Sequence, residues 1–287
     1  MRHDSVTRLG NSLVQHGPAN DRVYLMKLDR ADLPGIVDAM HDLGREHGYT
    51  KLFAKVPADA ADHFARRGFV NEARVPGMRR GEGSACFMSR YLARRRAVPA
   101  DPERIADVLD VAERKSRKPV VAAPGPAVIR LGPEHAEALA ALYGAVFETY
   151  PFPITDPGYL REAMDSDVAF FGIPGAIPGN PAGDEGLLAA ASAEMDMHWK
   201  CAEMTDFATL PTMRGQGAAG RLLAHMEDAV RGRGIRTTYT IARAASYGMN
   251  TVFARAGYRY GGTLHNNTQI AGRLESMNVW HRRLAAR

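Results

Sequence analysis

The feature that most constrains this chain is a strand that runs through a glycine-rich turn into a helix: Asp206-Phe207-Ala208-Thr209-Leu210-Pro211-Thr212-Met213-Arg214-Gly215-Gln216-Gly217-Ala218-Ala219-Gly220-Arg221-Leu222-Leu223. Five of the six positions from Gly215 to Gly220 are Gly or Ala. Residues this small let successive backbone N–H groups approach an anion, and the new helix aims roughly half a unit of positive charge at the same point. Arg214 adds a full cation. The stretch reads as a cradle for a pyrophosphate. It is not a mononucleotide P-loop, because no Gly-Lys-Ser/Thr closes it. Gly215-x-Gly217-x-x-Gly220 meets the bare dinucleotide pattern, but it comes late in its domain and lacks repeated βαβ units on either side.

The rest of the composition narrows the class. With 287 residues, 45% hydrophobic and 24% charged, the chain is a soluble globular protein large enough for two domains. A net charge of +5 suits an anionic ligand and falls short of the clustered basic face of a nucleic-acid binder. Arg79-Arg80 and Arg94-Arg95-Arg96 read as solvated loop charge. No apolar run approaches the ~20 residues of a membrane helix. The opening Met1-Arg2-His3-Asp4 has no secretory core, so a cytoplasmic home is expected. Two cysteines, Cys86 and Cys201, make neither a disulfide framework nor a four-thiolate site, and the ten histidines lack ligand spacing, so no metal is expected. No Gly-x-Ser-x-Gly elbow supports a hydrolase.

Along the chain, a helix is expected from Glu103 to Lys118, flanked by two Pro-rich breaks, which separates an N-terminal region (1–93) and a helical linker (94–125) from a C-terminal domain (126–287). In the latter, strands are expected at Ala127–Leu131, Val168–Ile173, Leu187–Met197, Cys201–Thr209 and Arg236–Ala242, with a final strand pair; helices are expected at Pro133–Thr149, Gly158–Met164, about Gly217–Arg231 and Met249–Ala256. The Gly/Pro run from Ile173 to Asp184 reads as a loop. A run of strands followed by alternating helices and strands implies a mixed α/β sheet. The N-terminal region repeats its last half. Strand Gly48–Val56 followed by His63-Phe64-Ala65-Arg66-Arg67-Gly68-Phe69 matches Gly234–Ile241 followed by Val252-Phe253-Ala254-Arg255-Ala256-Gly257-Tyr258.

Arg214-Gly215-Gln216-Gly217-Ala218-Ala219, followed by Asn250-Thr251-Val252-Phe253-Ala254-Arg255-Ala256-Gly257-Tyr258, resembles the GNAT superfamily of acetyl-CoA-dependent N-acetyltransferases over residues 126–287. Ala202-Glu203-Met204-Thr205-Asp206, Tyr239-Thr240-Ile241-Ala242-Arg243-Ala244, Gly262–Ile270 and Glu275–Trp280 narrow the resemblance to the β-lysine N-acetyltransferases. The resemblance implies a GNAT-type domain preceded by a degenerate half-copy of the same fold. It also implies acetyl-CoA as co-substrate, held by Phe207, Ala208 and Thr209 on a splayed strand, by Arg214, Gly215, Gln216, Gly217, Ala218, Ala219 and Gly220, and by Asn250 and Phe253. Acetyl would pass directly to the side-chain amine of β-lysine, giving Nε-acetyl-β-lysine, a compatible solute. Another small amine, a peptide amine, or a non-catalytic acetyl-CoA-binding module are the alternatives.

The amine must lose a proton before it attacks. By resemblance Glu203 is the first choice for the base and Asp206 the second, and in a regular strand the two would face opposite sides of the sheet. The tyrosine that often protonates the leaving thiolate is Phe253 here, so no acid is assigned. Asp206, Arg243, Asn267 and Glu275, with Asn266, are candidates for holding the substrate; Asn266-Asn267 and Gly261-Gly262 equally suit hairpin turns. Cys201 reads as a packed thiol. In the N-terminal copy, Asp29 and Asp32 stand where phosphates would lie. That half is expected to bind no coenzyme and to pack on the catalytic domain or on a second copy in a homodimer. The expected partner is a small amine, with neither nucleic acid nor membrane.

Overall fold

The computed structural model describes residues 4–117, 125–177 and 185–285. Most of the Pro-rich break after the 103–118 helix, and most of the Gly/Pro run from Ile173 to Asp184, lie outside these residues. The N-terminal half comprises β1 (Ser5–Leu9), β2 (Ser12–Gly17), β3 (Arg22–Lys27), α1 (Gly35–Glu46), β4 (Lys51–Pro57), α2 (Ala61–Ala65), β5 (Val70–Arg79) and β6 (Gly83–Tyr91). Helix α3 (Pro102–Ser116) connects it to β7 (Ile129–Leu131), α4 (Ala136–Val146), α5 (Pro157–Met164), β8 (Val168–Ala176), β9 (Glu185–Asp196), β10 (Cys201–Thr209), α6 (Ala218–Gly232), β11 (Thr237–Arg243), α7 (Tyr247–Arg255), β12 (Arg259–Ile270) and β13 (Arg273–Arg283). Strand β8 continues past Ile173 through Pro174-Gly175-Ala176, where a loop is expected; a register irregularity at Ile173/Pro174 absorbs the proline.

Among the described residues the strands form one sheet in the order β1-β2-β3-β4-β6-β5-β12-β13-β11-β10-β9-β8-β7. The order is a duplication. β3 and β4 pair in parallel, as do β10 and β11, and each parallel pair is followed by an antiparallel partner, β6 or β13. Reading β1 to β6 against β8 to β13 matches every strand, so the repeat seen in the sequence extends back over the β1–β2 hairpin. The two copies meet edge to edge where β5 pairs with β12, Ala73 opposite Gly262. Gly261 and Gly262, compatible in sequence with a hairpin turn, lie inside β12 instead. A Cβ on Gly262 would stand 2.1 Å from the Glu72 carbonyl oxygen, so only glycine lets the two edges approach this closely.

Packing follows from the residue pattern. In α6, Leu222, Leu223, Met226 and Val230 recur at helical spacing, are buried, and press on the alternate alanines Ala189, Ala191 and Ala193 of β9. Ala190, on the other face, packs with Leu139 and Leu142 of α4. Small residues in this central strand admit helices on both faces. At the junction, Phe53, Val75, Met78 and Phe87 from one half share a core with Cys201, Tyr239, Leu264, Met277 and Val279 from the other. Helix α3 is capped by Asp101, whose carboxylate accepts from the Arg104 N–H at 3.0 Å. Its Leu109 and Ala112 enter the core that contains Phe253 and Ala254 of α7.

Arg96 is a second tie, and it is not solvated loop charge. Its guanidinium is buried, pairs with Asp21 at 2.9 Å and donates to the Asn266 carbonyl at 2.7 Å, so the connecting segment is fastened to both halves. No helix among the described residues is long and apolar enough to cross a membrane.

Candidate active site

Strands β10 and β11 are paired only as far as Glu203 opposite Tyr239, yet β10 runs on to Thr209 and β11 to Arg243. Past that point the two strands part, and the backbone of Phe207, Ala208 and Thr209 has no partner on the β11 side. On its other side β10 follows β9 regularly to Thr205 opposite Ser192 and resumes at Ala208 opposite Ala190. One extra residue on β10 makes a β-bulge, with Asp206 in the left-handed region at φ 55°. The bulge resets the alternation. Glu203 and Asp206, expected on opposite faces of a regular strand, both line one cavity of about 800 Å³ between the two halves of the molecule.

Three strands bring a row of polar groups to this cavity. Glu194 on β9 stands opposite Glu203 on β10, which stands opposite Tyr239 on β11. From the N-terminal half, Lys55 of β4 donates to the Tyr239 hydroxyl at 3.3 Å. Asp206 is already occupied: the Tyr150 hydroxyl donates to one oxygen and Ser192 Oγ to the other at 2.5 Å.

Burial raises the pKa of Glu203, opposed by the Lys55 ammonium and the Tyr239 hydroxyl. Burial likewise raises Asp206, opposed by its hydroxyl donors. Glu194 is pushed up to about 8 by burial and by the charges of Glu203 and Asp206, against the pull of Lys55. Water entering the cavity reaches Glu194, so its hydration is only partly lost. For Lys55 burial works against the ammonium, but the surrounding groups, Glu203 and Glu194 among them, outweigh it and raise its pKa. At the Glu203 end three carboxyl groups gather round the one Lys55 ammonium, while the cations Arg22, Lys27, Arg30 and Arg79 line other parts of the wall, so it is this end that suits a cationic amine. Among its acids Glu203 is the one next to the parting strands without a full set of hydroxyl donors.

On the far side of the parting lies the glycine turn. Gly215 and Gly217 adopt φ 80° and 76°, and no side chain caps α6, so the first N–H groups of that helix point outward without a side-chain partner. A Cβ at Gly215 or Gly220 would meet nothing within 4 Å, so open space lies in front of the turn. Arg214 is exposed beside it, and the buried Nε of Arg221 has no hydrogen-bond partner. The Gln216 amide bonds back to the Thr212 carbonyl at 3.2 Å and shapes the loop. Backbone donors, free space and arginines fit the diphosphate of a coenzyme.

Other sequence candidates take different places. Asn250 is fully buried: its amide donates to the carbonyls of Arg243 and Ser246 and accepts from Asn278 and Trp280, leaving its side chain nothing to offer a coenzyme. Phe253 is equally buried, edge-on to Phe207 and Tyr258. Arg243 and Glu275 are absent from the cavity wall because they satisfy each other, in a two-bond ion pair of 2.9 and 2.7 Å that Arg273 joins. Asn266 bonds the connecting segment, while Asn267 does line the cavity. Glu194, Lys55, Tyr239 and Tyr150 escape the sequence reading. Glu194 and Lys55 had one signal each, a charge set between apolar neighbours, Ala193 and Met195 in one strand and Ala54 and Val56 in the other.

Residues 139–258 match the acetyltransferase (GNAT) family. The chain is 34% identical over 281 residues to the beta-lysine N(6)-acetyltransferase of Methanococcus maripaludis, which spans 97% of this chain and 98% of that protein. This chain belongs to the GNAT acetyltransferases, enzymes that transfer an acetyl group. It is also 30% identical over 277 residues to the N-acetyltransferase YodP of Bacillus subtilis, covering 95% of this chain and 96% of that one. Among solved structures, the ribosomal-protein-S18-alanine N-acetyltransferase from Escherichia coli superposes on 55% of this chain and 94% of its own, with 15% identity and a TM-score of 0.45.

Proposed function

We propose that the protein is a cytoplasmic acetyl-CoA-dependent N-acetyltransferase that acetylates the side-chain amine of β-lysine, giving Nε-acetyl-β-lysine for use as a compatible solute. The observation that carries the reading is Glu203, an ionisable carboxylate at the point where β10 and β11 part, at the acidic end of a cavity that a cationic amine would enter. The near full-length similarity to a protein named for β-lysine acetylation supports the choice of amine. A cavity walled on one side by the N-terminal half favours a small amine over a peptide.

When bound, acetyl-CoA supplies the acetyl group as a thioester open to direct attack by the amine. Residues 214–220 hold its diphosphate, and the unpaired backbone of Phe207, Ala208 and Thr209 aligns its arm. Glu203 takes the proton from the substrate ammonium, and its raised pKa makes it a better match to that task than an ordinary carboxylate. Lys55 and Tyr239 hold Glu203 in place, and Asp206, fastened by Tyr150 and Ser192, adds negative charge that draws the amine in. Residues 126–287 form the catalytic domain, 94–125 the linker, and 1–93 the far wall.

The test is thiol release from acetyl-CoA in the presence of β-lysine, compared with α-lysine, 1,4-diaminopentane and a lysine-containing peptide. Highest kcat/KM with β-lysine is expected. Absence of release with every amine would overturn the reading.

A further inference from the structure

Resting on that reading, we infer that Arg22 of the N-terminal half, with Gln15 and Asn267, forms the subsite that holds the zwitterionic head of an amino-acid substrate. Arg22 and Gln15 grip its carboxylate and Asn267 the neighbouring amine. The degenerate copy is then the element that makes the enzyme select an amino acid over a plain diamine.

Arg22 is only 4% exposed, yet it has no ion-pair partner among the described residues. The two other cations as fully buried each have one: Lys51 pairs with Glu72 at 3.0 Å and Arg96 with Asp21 at 2.9 Å. The acid whose charge acts on Arg22, Asp4, is fully engaged by the backbone of Ala19 and Asn20 and by the Asn20 amide. Arg22 meets neutral acceptors alone: the Asn267 carbonyl, Thr268 Oγ1 at 3.4 Å and Gln15 Oε1 at 3.5 Å. A buried cation without a counter-charge is costly, and a ligand carboxylate would remove that cost.

Three buried polar atoms are left without partners on these same side chains: Arg22 Nε, Gln15 Nε2 and Asn267 Oδ1. All three residues line the cavity that holds Glu203. Two donors and one acceptor complement an acceptor-only carboxylate and a donor-only ammonium.

The placement suits a linear diamino acid. The guanidinium lies over the rings of Tyr24 and Phe53, at 5.1 and 5.5 Å from their centres. Lys55, two residues beyond Phe53 on the same face of β4, reaches Tyr239. Arg22 lies opposite Lys51, so the head subsite and the Glu203 end are about four residues apart along the strand, ~13 Å before the arginine side chain shortens the gap. Tyr24 and Phe53 pave the interval and would cover the methylene chain. A diamine without the carboxylate would leave Arg22 unpaired, and a site built to bond a polar group discriminates strongly against an analogue that lacks it.

The test compares β-lysine with 1,4-diaminopentane, the same chain and amines without the carboxylate. Arg22→Met should raise KM for β-lysine by about 30-fold or more with kcat little changed, and leave KM for 1,4-diaminopentane and for acetyl-CoA within about twofold. Arg22→Lys should recover part of the loss. Gln15→Leu, which leaves Arg22 in place and so guards against misfolding, should raise KM for β-lysine several-fold.

Equal effects on both amines, or none on either, would overturn the subsite. Calorimetric binding of β-lysine to the wild type and to Arg22→Met reads the subsite without turnover: at least tenfold tighter binding to the wild type is expected, and equal or no binding overturns it. Failure of turnover with normal, Arg22-dependent binding overturns the proposed activity alone.

Discussion

Glu203 on β10 and Glu194 on β9 stand directly opposite each other and open into the same cavity. Opposed like charges on neighbouring strands repel, and one Lys55 ammonium offsets only part of that. The pair therefore holds a proton into the neutral range, with Glu194 the later of the two to ionise.

The first prediction is a stability effect with a defined sign. Between its ordinary value of 4.5 and about 8, Glu194 keeps a proton in the folded protein that the unfolded chain has lost. Where the folded state binds more protons, stability falls as pH rises, so this group destabilises progressively through that window. Glu194→Gln should therefore gain about 1 kcal/mol over the wild type at pH 8.5 and little at pH 5, the gain being discounted because water reaches the group. Urea unfolding at the two pH values measures it. An equal difference at both would show that Glu194 does not titrate in this window.

Glu203→Gln addresses the chemistry. Loss of a general base typically costs 10²–10⁴-fold in rate, so kcat should fall by about 100-fold or more while acetyl-CoA affinity holds. In the wild type, kcat/KM should rise with pH along a limb placed above the ordinary carboxylate range, because burial disfavours the charged form. The limb should vanish in Glu203→Gln. A variant with the same profile and near-normal kcat would remove Glu203 from the proton path.

At the cradle, Gly220→Glu separates binding from folding. A side chain there meets nothing within 4 Å, replacing glycine in a helix gains roughly 0.5–1 kcal/mol, and an acid in the first turn suits the helix dipole. The fold should thus hold or gain stability, while acetyl-CoA binding weakens at least about tenfold as the new carboxylate repels the diphosphate. Calorimetry reads the affinity and thermal melting the stability. Unchanged affinity would place the coenzyme elsewhere.

What could be read in advance was local. The strand, glycine turn and helix from Asp206 to Leu223 carry their conformation in consecutive residues, and the two Phe-Ala-Arg-x-Gly segments betray the duplication. The bulge after Thr205 has no such signature, because one extra residue in a strand changes no composition, and it alone decides that Asp206 joins Glu203. Arg243 and Glu275 are visible as charges, but their pairing depends on the register that sets Arg243 opposite Met277, two residues from Glu275. Glu194 meets Glu203 through the register of β9 on β10, whereas Lys55 and Arg22 come from the other half of the chain, and the edge-to-edge junction is what brings them to the site.

That junction yields the last prediction. The two edges touch where Gly262 meets Ala73, and a Cβ on Gly262 would fall 2.1 Å from the Glu72 carbonyl oxygen and 2.7 Å from the Ala73 Cα. Both obstacles are backbone, so no rotamer change relieves the clash, and φ of 140° is itself poorly suited to any other residue. Gly262→Val should destabilise the protein by about 3 kcal/mol or more, the range of severe overpacking combined with backbone strain. Because the N-terminal half supplies Lys55 and the far wall, KM for the amine should rise more than KM for acetyl-CoA in whatever fraction stays folded. Gly248→Ala, in α7 with nothing within 4 Å of the added carbon, provides the contrast: stability unchanged or raised by up to about 1 kcal/mol. Chemical denaturation of both variants decides it, and equal stabilities would mean that the halves do not need this close approach.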